Sequence, residues 1–352
     1  MKKIIFMSAI VALAMTTMFT SCKPTEDDEK ADKNALSELV SECQAILANA
    51  TTADYPQASI DAFQEAVTTA QALVANADAT QAQVDAMVAN LTAARDAFLA
   101  SAYDAIPQEA LLVGLSFDEG TAATTSLTAT GKGYVANVNP GIILASEKPE
   151  FIAGKIGKAV YFGGGGSNLS IDQFTASDFL GPKLSISVWV KPEVTKADNY
   201  FLSWNSWHTW KLQLQDANKP FMTVNTELGA ADADNEAANS CPEGEWHHVV
   251  VSLDLTAHTL SFYVDGGLTK EWNADEKPPL AGSSIVAPTG NVAITIGGCY
   301  KTLLDAQTYD WDGFTLENYT NYFVGALDEL KIYNIALTPG QVSKLYNEES
   351  AK

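Results

Sequence analysis

The segment Gly244–Gly267, GEWHHVVVSLDLTAHTLSFYVDGG, limits the folds open to this chain more than any other stretch. Its two arms, His247–Leu253 and Leu260–Val264, are rich in β-branched and aromatic residues, which suit a pleated, half-buried surface. A short polar turn joins them, and Asp265 and Gly266 close the second arm with a dipeptide that tolerates positive φ in a tight turn. Such a hairpin commits the region to antiparallel sheet. From Ala110 onward the same alternation recurs in Leu111–Phe117, Ala159–Phe162, Leu184–Val190, Tyr200–Trp204, Trp210–Gln215, Phe221–Val224, Val292–Ile296 and Val324–Tyr333. Many short strands, no βαβ spacing and frequent Gly, Asn and Pro turns predict an all-β, two-sheet antiparallel sandwich over residues 110–350. Thr338–Tyr346 reads as a short closing helix.

Upstream the period changes. In residues 34–103, Leu36, Leu39, Val40, Cys43, Ile46 and Leu47 form one stripe at helical spacing. Ile60, Phe63, Val67, Ala70 and Val74 form a second, and Val84, Met87, Val88, Leu91 and Phe98 a third. Thr80 and Gln83 have capping-box spacing at the start of the third helix. Three amphipathic helices with short joints predict a small bundle, each helix about 24 Å long at 1.5 Å per residue. Its exposed faces are Ala, Gln, Asp and Thr, with almost no aromatic platform for a sugar, so the bundle reads as a spacer. Residues 104–109, with Pro107, form the linker.

The amino terminus is a targeting signal. Lys2 and Lys3 supply a positive start, and Ile4–Met18 is apolar but short for a membrane span. Residues 1–21 therefore read as a signal peptide. Small residues leading into Cys22 resemble a bacterial lipobox, which implies cleavage before Cys22 and lipidation of its thiol. The acidic tether over residues 22–33 resembles the surface-export signal of Bacteroidota lipoproteins and also suits a solvated linker. With 43 acidic against 21 basic residues the net charge is −22, which repels phosphate backbones and argues against nucleic acid as a partner.

Four phrases fall in the order of one family: GKAVYFGG at 157–164, LSISVWVKP at 184–192, the hairpin at 244–267, and GALDELKIYN at 325–334. Together they resemble laminin-G-like, concanavalin A-like lectin/glucanase jelly rolls, two-sheet sandwiches that mostly bind glycans or accompany enzymes that cut them. The stretch at 72–98, ALVANADATQAQVDAMVANLTAARDAF, resembles the FIVAR module, found in many bacterial surface proteins as a spacer. The resemblance implies a multi-domain chain: a three-helix bundle, then a concanavalin A-like jelly roll.

Two tracts could carry a ligand. Three tryptophans in seven residues, Trp204, Trp207 and Trp210, accompany Asn205 and His208. They cannot all point into one core, and aromatic rings with nearby amides suit sugar stacking. Trp204 and Trp207 rank above Trp210, whose position is often framework in the family, as Trp189 and Trp246 are. The second tract, Tyr300–Tyr322, is longer than the family needs. It carries Tyr300, Tyr309, Asp310, Trp311 and Asp312, and a long loop in a compact domain is more often functional than idle. Its alternative role is to cover a sheet edge.

The family resemblance implies a structural calcium held by Asp118, the backbone at Gly163 to Gly165, and Asp328, the mix of carboxylate and carbonyl oxygens that calcium favours. His247 and His248 are adjacent on a strand, so their rings point apart and cannot share a metal. Cys43 reads as a buried small hydrophobe; Cys241 and Cys299 flank strands of an exported domain, where a disulfide is chemically allowed and the Cα separation decides. The Glu-x-Asp-x-x-Glu string of related glucanases does not occur, and Asp310 with Asp312 would make only an unorthodox pair. The expectation is a non-catalytic, lipid-anchored protein on the outer membrane of a Gram-negative cell. It would capture a polysaccharide or host glycan, alongside other glycan-uptake proteins. Protein adhesion or a structural surface role is the alternative, and glycoside hydrolysis a more distant one.

Overall fold

A computed structural model describes residues 30–352; the signal segment, Cys22 and most of the acidic tether lie outside the described residues. Two compact units divide the chain. One takes the described residues up to Ala48 with Asp61–Ala97, and the other Asn49–Ile60 with Phe98–Lys352.

The helices are α1 (Asn34–Ala48), α2 (Gln57–Ala75) and α3 (Gln81–Ala100). Their buried residues are those of the sequence stripes: Leu36, Val40 and Cys43, then Phe63, Val67 and Ala70, then Val84, Leu91 and Phe98. The capping box forms, with Thr80 N–H donating to Gln83 Oε1 at 2.9 Å and Gln83 N–H to Thr80 Oγ1 at 3.4 Å. That exchange satisfies two orphan donors at the helix start. Within the second unit, Tyr55 stacks on Phe98 at 4.2 Å and Tyr103 N–H donates to Asp54 O.

The β-region is a two-sheet antiparallel sandwich. The nine-stranded sheet runs Gly267–Asn273, Thr259–Val264, His247–Asp254, Lys183–Pro192, Val324–Tyr333, Leu111–Leu115 and Thr130–Gly131. The hairpin Glu150–Ala153 and Lys158–Gly163 adds to Val324–Tyr333. The eight-stranded sheet runs Gly229–Asp234, Lys219–Thr226, Trp210–Gln215, Asn199–Trp204, Ile294–Ile296, Asn168–Ile171, Val135–Asn139 and Ser126–Thr128.

The hairpin Gly244–Gly267 lies in the nine-stranded sheet, with His247–Asp254 paired between Lys183–Pro192 and Thr259–Val264. Val249, Val251 and Leu253 pair with Val264, Phe262 and Leu260 and fill the space between the sheets. The alternate residues Val250 and Tyr263 face the other way and are also buried, against Tyr333, Leu337, Val342 and Leu345. This is why the arm reads as a continuous apolar run: the closing helix, Pro339–Ser350, covers its back. Asp265 (φ 51) and Gly266 (φ 77) take the consecutive positive φ values that a tight hairpin turn requires. The closing helix opens with a full capping box, Thr338 with Gln341.

Candidate functional site on the outward face of the eight-stranded sheet

Register decides where the tryptophan tract points. Trp204 and Trp210 are direct cross-strand partners, so both rings lie on one face. That face is the sandwich interior, where Trp204 is 1 % exposed and Trp210 is fully buried. The expectation that they serve a ligand is therefore corrected: their neighbours are Phe174, Phe179 and each other, and Trp204 Nε1 donates to Val292 O at 3.1 Å. Trp207 sits between them in a short helical turn, Ser206–His208, entered through left-handed Asn205 and Ser206. Because the turn reverses the chain, Trp207 leaves the sheet and is 41 % exposed.

The opposite face of this sheet carries a polar row across seven strands. Asn137 pairs with Ser170, Ser170 with Thr295, Thr295 with Ser203, Ser203 with Lys211, Lys211 with Thr223, and Thr223 with Asp232. Alternation gave no warning that this face is closed. Ser170, Thr295, Ser203, Lys211 and Thr223 are all fully buried; Cys299, at the start of the segment 299–322, lies against Ser203, and Trp207 lies over Lys211. This covering segment is not an open loop: Leu303–Tyr309 forms a helix, α4, capped by Thr302. Tyr300, Ala306, Phe314 and Tyr319 are buried with the main core. Tyr300, expected at a ligand rim, is thus a packing residue, 1 % exposed, its hydroxyl donating to Asn205 Oδ1 at 3.4 Å.

The two expected tracts meet at the far end of α4. His208 Nε2 stands 3.4 Å from Asp310 Oδ1. Burial raises the Asp310 carboxyl above its usual range, and the His208 imidazole opposes that shift. Trp311, next to Asp310, is 53 % exposed and rests edge-on against Phe314 at 5.2 Å. Asp312 is exposed, and Tyr309 is half-buried near Gly290. The result is an open rim of two indoles, an imidazole and a carboxyl.

Beneath the rim lies a residue that sequence reading passed over. Lys211 Nζ stands 3.7 Å from the centroid of Trp207, 4.5 Å from Tyr200 and 4.6 Å from Phe221, and donates to Gln213 Oε1. Aromatic faces attract the ammonium, but burial wins and lowers its pKa from 10.5 to about 8. The folded state then disfavours the charged form below pH 8, and that cost is relieved as pH rises toward 10.5. Lys211→Met is expected to raise Tm by about 2–4 °C at pH 7 and by less at pH 10. Thermal melts of both proteins at the two pH values check this; an equal gain at both would place the ammonium in water.

The expected calcium set does not assemble. Asp118 Oδ1 accepts from Lys158 N–H at 2.8 Å, and Asp328 Oδ2 from Ile156 N–H at 2.9 Å, so both carboxylates hold the turn between the strands ending at Ala153 and starting at Lys158. A Cβ on Gly157 would lie 2.0 Å from Asp118 Oδ1, which is why the turn needs glycine there. Gly163 pairs with Val324, four residues from Asp328, which places it about 13 Å along the strand from that carboxylate. Glu147, not either aspartate, caps the glycine run, accepting from Gly165 N–H at 2.7 Å. Burial pushes the Asp328 carboxyl up to about 7. Among the described residues no group of three or more His, Cys, Asp or Glu side chains is placed to hold a metal.

Cys241 and Cys299 are separate buried thiols rather than a disulfide. Cys299 Sγ lies 3.9 Å from Ser203 Oγ under the covering segment, while Cys241 N–H donates to Asn218 O at another part of the sheet. Burial raises the Cys299 thiol to about 12.

Among curated proteins nothing matches the chain. Domain 4 of a GH43 extracellular arabinanase from Geobacillus stearothermophilus, solved in complex with arabinotriose, is similar at 22 % identity and a TM-score of 0.47; the match covers 67 % of this chain and 98 % of that one. The binding domain of Paraclostridial Mosquitocidal Protein 1 is similar at 17 % identity and a TM-score of 0.48, covering 68 % of this chain and 52 % of that one. The Botulinum neurotoxin serotype G binding domain gives 17 % and 0.47, covering 67 % and 50 %. Residues 32–98 match the FIVAR domain. With residues 163–343 matching its sandwich, the chain belongs to the concanavalin A-like lectin/glucanases superfamily.

Proposed function

We propose that this chain is a cell-surface glycan-binding protein, tethered through lipid at Cys22, that captures oligosaccharide at the rim where the Ser206–His208 turn meets the end of α4, without cutting it. The observation that carries this reading is the rim at the end of α4. Trp207 and Trp311 hold ring surface in solvent beside the hydrogen-bonding pair His208 and Asp310. Indole faces take the C–H surface of a sugar, while the imidazole and carboxyl reach its hydroxyls. The ligand class is a polysaccharide or host glycan, in a setting of outer-membrane glycan uptake. A second reading, docking of a protein, draws on Leu304 and Leu316, 70 % and 53 % exposed on the same segment.

The test is a glycan array and affinity gels with the full chain beside Trp207→Ala and Trp207→Ala/Trp311→Ala. Single replacement is expected to weaken glycan binding about tenfold, a loss of roughly 1.4 kcal/mol, and double replacement to abolish it. Retention on a glycan that the double variant also retains would move the site elsewhere. New reducing ends released from the bound glycan would replace capture with hydrolysis.

A further inference from the structure

A cavity lies at the other end of α4, lined by residues that the sequence did not single out. It measures about 480 Å³ and is lined by Asn137, Asn139, Ile142, Asp172, Lys301 and Leu303, among others. That volume falls within the range of small-ligand sites. We propose that this cavity is a separate saccharide subsite that takes a neutral sugar ring, an inference that rests on the glycan-binding reading above.

The cavity is a built polar site. Asp172 is its centre: Oδ1 accepts from Lys301 Nζ at 2.8 Å, and Oδ2 accepts from Asn137 Nδ2 at 2.8 Å and from Ser170 Oγ at 3.0 Å. Asn139 Nδ2 is anchored by Asn168 Oδ1 at 3.0 Å and Ser170 Oγ at 2.9 Å. These bonds fix the polar groups before any ligand arrives, which removes ordering cost from binding. An ammonium has three donors and an amide oxygen two lone pairs, so Lys301 and the Oδ1 atoms of Asn137 and Asn139 keep capacity for hydroxyls.

The charge balance selects the ligand class. Lys301 is neutralised by Asp172, so a carboxylate or sulfate entering here meets an ammonium already paired and a carboxylate beside it. Hydroxyls, which donate and accept, fit both partners. Ile142 and Leu303, each half-buried, supply apolar surface for the C–H side of the ring. The net charge of −22 adds a long-range penalty for anions. Lys301 precedes α4 and Asp310 follows it, and seven helical residues span about 10 Å, so this subsite is distinct from the indole rim.

Two variants test the subsite in the full chain. Asp172→Asn keeps the shape and breaks the charge pairing; Leu303→Trp fills the cavity and leaves the polar network intact. The probes are neutral oligosaccharides and their uronate-containing counterparts, titrated calorimetrically, with Tm recorded for each variant. The expected result is a loss of about tenfold or more in affinity for a neutral oligosaccharide in both variants, with weaker binding of the acidic counterpart to the unaltered chain. If both variants bind within twofold of the unaltered chain while Trp207→Ala does not, the subsite is overturned and the glycan-binding reading stands. Tighter binding of the acidic probe overturns the neutral-sugar assignment. Absence of binding by the unaltered chain to every probe removes the glycan-binding reading and this subsite with it.

Discussion

Replacing Glu349 with glutamine is expected to lower the stability of the sandwich by about 3–5 kcal/mol, the usual cost of removing one partner from a buried ion pair. Glu349, 3 % exposed in the last turn of the closing helix, accepts from Trp189 Nε1 at 2.6 Å and from Lys331 Nζ at 2.5 Å. His248 Nε2 stands 3.7 Å from the same carboxylate. Burial by itself would lower the Lys331 pKa, yet Glu349 and Glu329 outweigh it and hold the ammonium charged. His248, fully buried, is driven the other way, down to about 3, and stays neutral. The single carboxylate thus serves a cation, an indole N–H and the helix that carries it. Urea unfolding of Glu349→Gln checks the loss. Adding Lys331→Met should recover little of it, because Glu329, 2.6 Å from Lys331 Nζ, still pairs the ammonium in the single variant and loses that partner in the double one. A loss under 1 kcal/mol in the single variant would mean that solvent already screens the pair.

The second large effect separates two tryptophans that look alike in sequence. Trp204→Ala is expected to cost about 3–5 kcal/mol, the penalty for emptying a large aromatic site in a packed core. Its ring lies 5.2 Å from Phe174, 6.1 Å from Phe179 and 6.4 Å from Trp210, all in edge-on or tilted contact. Trp207→Ala, three residues on, should cost less, about 1–2 kcal/mol, since its ring is 41 % exposed. Its effect should instead appear in glycan affinity. Chemical denaturation and glycan titration of both variants give a two-by-two outcome. Loss of binding by Trp204→Ala at a temperature where it remains folded would return that ring to the ligand site.

That contrast shows how much of the site was legible. Counting three rings in seven residues correctly implied that they could not share one core. Which ring turned outward depended on the pairing of Trp204 with Trp210, a register that hairpin geometry sets and residue type does not. The covering segment was recognised as long and aromatic; Tyr300 and Tyr319 pack inward, while Trp311 and Asp312 are exposed. The strands that went unread were mostly edge strands. Ser126–Thr128, Thr130–Gly131, Gly229–Asp234 and Gly267–Asn273 border their sheets, and edge strands need no apolar alternation to be held.

What the sequence determined was everything carried by local pattern. The helical stripes and the Thr80 capping box specify three helices, because burial follows a fixed period of 3.6 residues. The alternating runs and the Asp265-Gly266 turn specify an antiparallel sandwich, because only residues tolerant of positive φ close such hairpins cheaply. What only the tertiary structure decided was how distant segments meet. Asp310 and His208 are about a hundred residues apart and form one rim; Asp172 and Lys301 are 129 apart and form one cavity wall. Asp118 and Asp328 turned to the same main-chain turn and left Gly163 aside. Contacts of that range depend on sheet order and on what is laid across each face, and no window of neighbouring residues encodes either.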